Sequence, residues 1–408
     1  MSHPTSSAVR LKLSLIWLFC MGGMGFIFPF YSLYLRANIG LSGSEIGAIM
    51  ATLPLVAVGT QALWGQLADR TGERSRVLAL LATGASAGYI ALFLQHSFAG
   101  FLLATAALAL FSAALIPTSV SVSFAQLHDT TGRAFGRVRV CGTLGFAAAV
   151  VSLPWILSLV RSSQAPASLL RGGDEPGLAV IFLMAAGLLL FVVPFALLLP
   201  RTHAATTRAA RGEWRQLLGQ KAFVRVLGIT LVAWAFIQGP MALFPILVRE
   251  HGGGVETISG MWMLMLALEV PLVFAFGASI ERIGPRGVIA IGLISAGIRW
   301  LVSGLVDDLS IVTAVQLLHG VTVWGLVLGI PSYVDAVVPE RLRSTGQGLL
   351  AMIGISCGSI ISNLSAGWLM DRFDPFAPAW IGGIGALAIA VALPFVLPPV
   401  PAKRPSGV

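Results

Sequence analysis

Three ionisable side chains stand deep inside otherwise apolar stretches of this 408-residue chain: Glu269, Arg299 and His319. A carboxylate, a guanidinium and an imidazole within reach of one another can hold a proton and release it when access changes. Glu269 lies about twelve residues from each end of its apolar segment, and Arg299 about twelve residues into the next. At a helical rise of 1.5 Å per residue, Arg299 is roughly 18 Å from the face where that segment begins. His319, eight residues into a segment running back, is about 12 Å below the opposite face. In a hydrocarbon layer of about 30 Å those depths coincide. The three are expected to meet, with Glu269 as proton carrier, Arg299 modulating it, and His319 as relay or solute ligand. The competing reading is a static Glu269–Arg299 ion pair locking two helices, with His319 packed beside it.

Other polar groups could line a cavity near them. Arg139 sits one turn inside its segment, placed either to face a cavity or to snorkel to the interface. Tyr31, Gln238 and Asn363 are further cavity candidates, with Phe28, Phe30, Tyr34, Trp234 and the hydroxyls Ser119, Ser121 and Ser123. Aromatic stripes at helical spacing are more often packing. Asp335 reads as a gate or pairing residue near a segment end.

The elements that must position these groups follow from composition. Hydrophobic residues make up 56% and charged residues only 11%, too few charges to cover a soluble protein of this size. The 46 glycines suit membrane helices. Runs of the roughly 20 apolar residues that a bilayer demands occur near 13–35, 45–67, 77–95, 99–126, 135–160 and 177–199. A second set occurs near 222–248, 257–280, 287–306, 311–338, 344–370 and 377–398. The sequence therefore predicts an all-α membrane protein with twelve spans. The first run, after Arg10 and Lys12, is expected to be a span rather than a signal peptide, since it continues past the usual length without a small-residue cleavage site.

With the N-terminus inside, 19 of the 26 Lys and Arg fall in cytoplasmic segments and five outside. That asymmetry places both termini in the cytoplasm and accounts for the net charge of +9 without a nucleic-acid partner. Cys20, Cys141 and Cys357 lie in apolar stretches and form no disulfide or zinc spacing. No metal, cofactor or nucleophile–base pair is indicated, so catalysis is not expected.

Residues 200–221, rich in Arg, Ala and Thr, read as a cytoplasmic linker between bundles 1–199 and 222–408. An internal repeat supports the division. Gly65-x-x-x-Asp69-Arg70-x-Gly72 follows the second run, and Gly277-x-x-x-Glu281-Arg282-x-Gly284 follows the eighth, every position offset by 212 residues. Two pseudo-symmetric six-helix bundles are the expected architecture. Gly65 is expected to allow close helix approach, Gly72 a tight reversal, and Asp69 to pair with nearby bases or face a helix N-terminus, with Arg74 a further member of this gate motif.

The stretch Gly65 to Arg76 resembles the signature between spans two and three of the major facilitator superfamily, with Glu73 where a basic residue is common there. Phe135-Gly136-Arg137-Val138-Arg139-x-x-Gly142 resembles the start of span five in the lactose-permease group and its phenylpropionate-permease-like relatives. Glu269-Val270-Pro271, Arg299-Trp300, Gln316-Leu317-Leu318-His319 and Pro339-Glu340-Arg341-Leu342-Arg343 are similar to the latter. The resemblance implies a major facilitator fold whose halves rock around a central cavity, usually with proton coupling. It matches Arg299 and His319 to positions implicated in coupling. The acid one turn beyond the histidine in the lactose-permease group is replaced by Thr322. The expectation is a monomeric symporter in a bacterial inner membrane, moving an organic acid, sugar or nucleoside together with protons. An exporter of amphipathic compounds and an uncoupled facilitator are the alternatives.

Overall fold

The computed structural model describes residues 7–127, 133–162, 169–170, 173–200 and 214–400, apart from the side chains of Ala62, Asp69 and Arg133. The described residues form helices and connecting turns, with no strand among them. Among the described residues, eleven helices are long and apolar enough to cross a bilayer: Ser7–Ala37, Gly43–Ala68, Arg74–Phe93, Phe98–Leu127, Ala134–Ser162, Val180–Leu197, Lys221–Glu250, Val255–Leu305, Leu309–Val337, Glu340–Arg372 and Ala377–Val396. The eighth has 51 residues, about 77 Å of helix against a hydrocarbon core of about 30 Å. Inside it Gly284 has φ 70° and ψ 163°, a conformation open to glycine and strained for other residues. The chain turns there, and the two arms are spans eight and nine of a twelve-span fold. Gly72, its partner in the repeat, has φ 67° at the end of span two. The paired glycines thus share a positive φ, which favours glycine at both turns.

The other feature expected of the repeat is absent. A Cβ on Gly65 or on Gly277 would meet no atom within 4 Å, so neither glycine serves close helix packing in this structure. The side chain of Asp69 lies outside the described residues.

Two compact units divide the chain: Met1–Leu41 with Thr52–Thr206, and Ser42–Ala51 with Thr207–Val408. Of the expected linker, residues 201–213 lie outside the described residues. In the first unit, span one breaks at Phe28–Phe30 and packs on spans five and six. Small residues make this possible: a Cβ on Gly25 would fall 2.7 Å from the carbonyl oxygen of Phe146. The core holds Trp17, Phe30, Tyr34, Phe101 and Phe182, all fully buried. The Ser86 hydroxyl ties span three to span six through the carbonyl of Ala186 at 2.9 Å.

In the second unit, the head of span two lies against one face of span eleven formed by Asn363, Gly367 and Asp371, spaced one helical turn apart. Asp371 accepts bonds from the backbone of Gly43 at 2.6 Å and of Ser44 at 2.7 Å. It thereby caps two of the amides that a helix start leaves without partners. A Cβ on Gly43 would fall 2.5 Å from the carbonyl oxygen of Gly367, so two glycines set the approach. One turn on, Pro54 has no N–H to give to the carbonyl of Met50. Asn363 Nδ2 donates to that carbonyl at 3.1 Å.

Spans nine and ten of this unit touch through Gly292 and Gly325, and spans nine and twelve through Gly297 and Leu387. Spans ten and eleven each contain a π-helical stretch, Val323–Leu328 and Leu350–Cys357. Such stretches are rare and gather at functional sites, and the first begins four residues after His319.

Large apolar side chains remain exposed on the helices, among them Leu103, Val391 and Phe395 at 71%, 71% and 86%. This is the surface a hydrocarbon solvent requires, because lipid tails are as apolar as leucine.

Candidate functional site

The second unit brings Glu269, Arg299 and His319 together from spans eight, nine and ten. Gly320 is the contact that permits it. A Cβ there would lie 2.6 Å from the backbone nitrogen of Glu269 and 2.8 Å from the carbonyl carbon of Leu268. Span ten therefore touches the backbone of span eight beside the acid, with His319 as the preceding residue.

Arg299 is 1% exposed, and an unpaired buried cation would be very costly. Its groups are met one by one. Nε donates to Gln316 Oε1 at 2.8 Å, and Nη1 reaches His319 Nδ1 at 3.0 Å. Nη2 points at the sulfurs of Met241 at 3.5 Å and Met265 at 3.9 Å. The guanidinium carbon stands 4.2 Å from the ring centre of Trp300 and 5.6 Å from that of Phe244, an attraction worth about 2 kcal/mol or more when desolvated. Polarisable sulfur and aromatic faces thus share the work of solvating the charge.

Arginine only donates, so His319 Nδ1 accepts, and the neutral ring carries its proton on Nε2. That nitrogen faces the acid, 4.0 Å from Glu269 Oε2. The separation exceeds a direct hydrogen bond and suits one that tightens or bridges through water. The static Glu269–Arg299 pair weighed above is not how the guanidinium is satisfied, since His319 stands between the two. Exposure also differs: the side chain of Glu269 is 26% exposed and that of His319 14%. The acid is the member of the trio most open to solvent.

The remaining candidates are placed differently. Tyr31 is buried, its hydroxyl 2.8 Å from Thr105 Oγ1 and its ring edge-on to Phe182. Its hydroxyl is engaged inside the first unit. Asn363 is buried as well and serves the Met50 carbonyl. Ser119 and Ser123 are buried, Ser123 accepting from Trp17 Nε1 at 3.0 Å. Gln238 is half-buried in span seven. Arg139 is exposed in the first unit, its guanidinium 5.3 Å from the ring centre of Trp17. Asp335 accepts from Gln347 at 2.8 Å and so joins spans ten and eleven. Arg70, Glu281 and Arg282 are exposed and Arg74 is half-buried.

Sequence reasoning gave no role to Gln316, Ser303 or Gly320. Gln316 lay inside a motif quoted for its histidine. A glutamine three residues before a buried histidine was the available signal, because an amide in an apolar span needs partners. Among the described residues no group of His, Cys, Asp and Glu is arranged to hold a metal.

These features agree with the comparisons to known proteins. The maltose permease of Geobacillus stearothermophilus is 28% identical over 374 residues, covering 90% of each chain. The putative nucleoside transporter YegT of Escherichia coli (strain K12) is 27% identical over 345 residues, covering 82% of this chain and 78% of the relative. The crystal structure of the nucleoside transporter NupG superposes with a TM-score of 0.80 at 16% identity, over 94% of this chain and 98% of that one, which establishes the fold. The model of the MFS_1 like family matches residues 10–378. With that match over most of its length, the chain belongs to the MFS_1 like family, as a major facilitator transporter of small solutes and not an enzyme.

Proposed function

We propose that the protein is a proton-coupled symporter of a small neutral solute rich in hydroxyl groups, a sugar or a nucleoside, working by alternating access with Glu269 as the coupling acid. The observation that carries this reading is the line Glu269–His319–Arg299, in which a partly exposed carboxylate faces a neutral imidazole held by a buried cation. An acid at mid-span can exchange its proton with whichever side has access.

The same geometry bears on the solute. Arg299 is buried and engaged by Gln316, His319 and two methionines, so it is poorly placed to bind an organic anion. The relatives, a maltose permease and a putative nucleoside transporter, point the same way. Arg139 and Gln238 are our candidates for further solute contacts, and the paired motifs Gly65 to Arg74 and Gly277 to Gly284 for conformational gating. We assign the chain to a bacterial inner membrane, as a monomer with both termini in the cytoplasm.

Uptake into vesicles with and without an imposed pH gradient tests the coupling. Glu269→Gln keeps shape and hydrogen bonding but cannot titrate. It is expected to lose accumulation while retaining solute binding and exchange. Undiminished gradient-driven accumulation by folded Glu269→Gln protein would overturn the proposal. An uncoupled facilitator would equilibrate its solute in both forms.

A further inference from the structure

Gln316 lies in span ten, three residues before His319, and is fully buried. Its amide is committed at both ends. Oε1 accepts from Arg299 Nε at 2.8 Å, while Nε2 donates to Ser303 Oγ at 3.0 Å and to the carbonyl of Val312 at 2.8 Å. The orientation of the amide is determined by chemistry. Arg299 Nε only donates and the Val312 carbonyl only accepts, so the reversed amide would oppose donor to donor and acceptor to acceptor. Ser303 is one turn beyond Arg299 on span nine, and Val312 one turn before Gln316 on span ten. The amide therefore ties the two spans together at the level of the guanidinium.

Holding Nε sets the plane of the guanidinium, and with it the direction of Nη1. Nη1 meets His319 Nδ1 at 3.0 Å. While that bond stands, Nδ1 cannot take up a proton. The ring is then unable to accept at Nδ1 and release from Nε2, as passage of a proton through an imidazole requires. It can only present Nε2–H to the carboxylate. Whether His319 passes protons or orients Glu269 is thus decided one residue away, by what holds Arg299.

We propose that Gln316 is a positioning residue that anchors Arg299 and thereby keeps the His319 proton on Nε2, on the side of Glu269. This rests on the reading of Glu269 as coupling acid, and it assigns His319 as a directed donor to that acid. Gln316 acts through Arg299 and touches neither solute nor transferred proton.

The test is the tautomer itself. With ring nitrogens of the six histidines labelled with ¹⁵N, the His319 signals are identified by their loss in His319→Gln. A protonated and a bare ring nitrogen resonate far apart. The wild type is expected to show one neutral form, with Nε2 protonated and Nδ1 accepting a hydrogen bond. Gln316→Leu, lacking the acceptor, is expected to show both tautomers. Its accumulation should fall about tenfold, the equivalent of one charge-assisted hydrogen bond, with exchange kept within about twofold. Gln316→Glu keeps an acceptor for Nε, with its other oxygen protonated to donate to the Val312 carbonyl, and should keep the single tautomer. Should Gln316→Leu not fold, the unbranched Gln316→Met provides the same reading.

A single Nε2–H tautomer in the Leu or Met variant, with wild-type accumulation, would overturn the assignment. Mixed tautomers there, combined with unimpaired accumulation by Glu269→Gln, would uphold the role of Gln316 and remove only the coupling role of Glu269.

Discussion

The backbone nitrogen of Glu269 lies where a side chain on Gly320 would have to go, 2.6 Å from the position of its Cβ. Spans eight and ten meet backbone to backbone at that point, and the meeting sets the separation of Glu269 from His319. Gly320→Ala is therefore expected to push the spans apart. Overpacking of this kind costs about 1–3 kcal/mol. The variant should unfold at lower temperature in detergent, followed by tryptophan fluorescence, and should lose accumulation more severely than exchange. Wild-type melting with wild-type uptake would show that the contact is dispensable.

Asn363 and Pro54 form a second testable couple, joined through the carbonyl of Met50. Asn363→Ala removes the donor to that carbonyl and is expected to destabilise by about 1–2 kcal/mol, because a buried acceptor is left unmade. Pro54→Ala returns a helical N–H to the same carbonyl. In that background the loss of Asn363 should cost less, a coupling visible in a double-mutant cycle of denaturation midpoints. Strictly additive effects would contradict the account.

Gly72 and Gly284 make matching demands. Both have positive φ, 67° and 70°, so alanine at either place is strained by about 1–3 kcal/mol, and at Gly284 the ψ of 163° falls where essentially only glycine is found. Gly72→Ala and Gly284→Ala are both expected to lower thermal stability. Gly65→Ala and Gly277→Ala, with open space around their Cβ positions, should leave it within about 0.5 kcal/mol. Equal losses at all four positions would mean that something other than backbone conformation is at work.

Orientation can be tested without a substrate. Replacing Arg208 by cysteine, in a chain whose three cysteines are changed to serine or alanine, puts a thiol in the segment between the halves. An impermeant thiol reagent should fail to label it in intact cells and succeed after permeabilisation. Labelling from outside would reverse the whole topology.

Much was legible in the chain alone, and for a local reason. The length of an apolar run and the cost of a charge within it are one-dimensional properties that need no knowledge of neighbouring helices. Twelve spans, and the apolar segments that carry Glu269, Arg299 and His319, follow from them. Rotation of each helix about its axis and the partner it meets are different matters, since several faces of a membrane helix are apolar at once. Only the tertiary structure decided that His319 stands between the acid and the cation, with Nδ1 toward Arg299 and Nε2 toward Glu269. It decided that Gln316 holds the guanidinium, that Gly320 admits the backbone of span eight, that the Tyr31 hydroxyl meets Thr105 and that Asn363 Nδ2 meets the Met50 carbonyl. Each of these depends on an interhelical distance of a few ångströms, set by which small residues face one another, and spacing along one helix carries no record of what lies across from it.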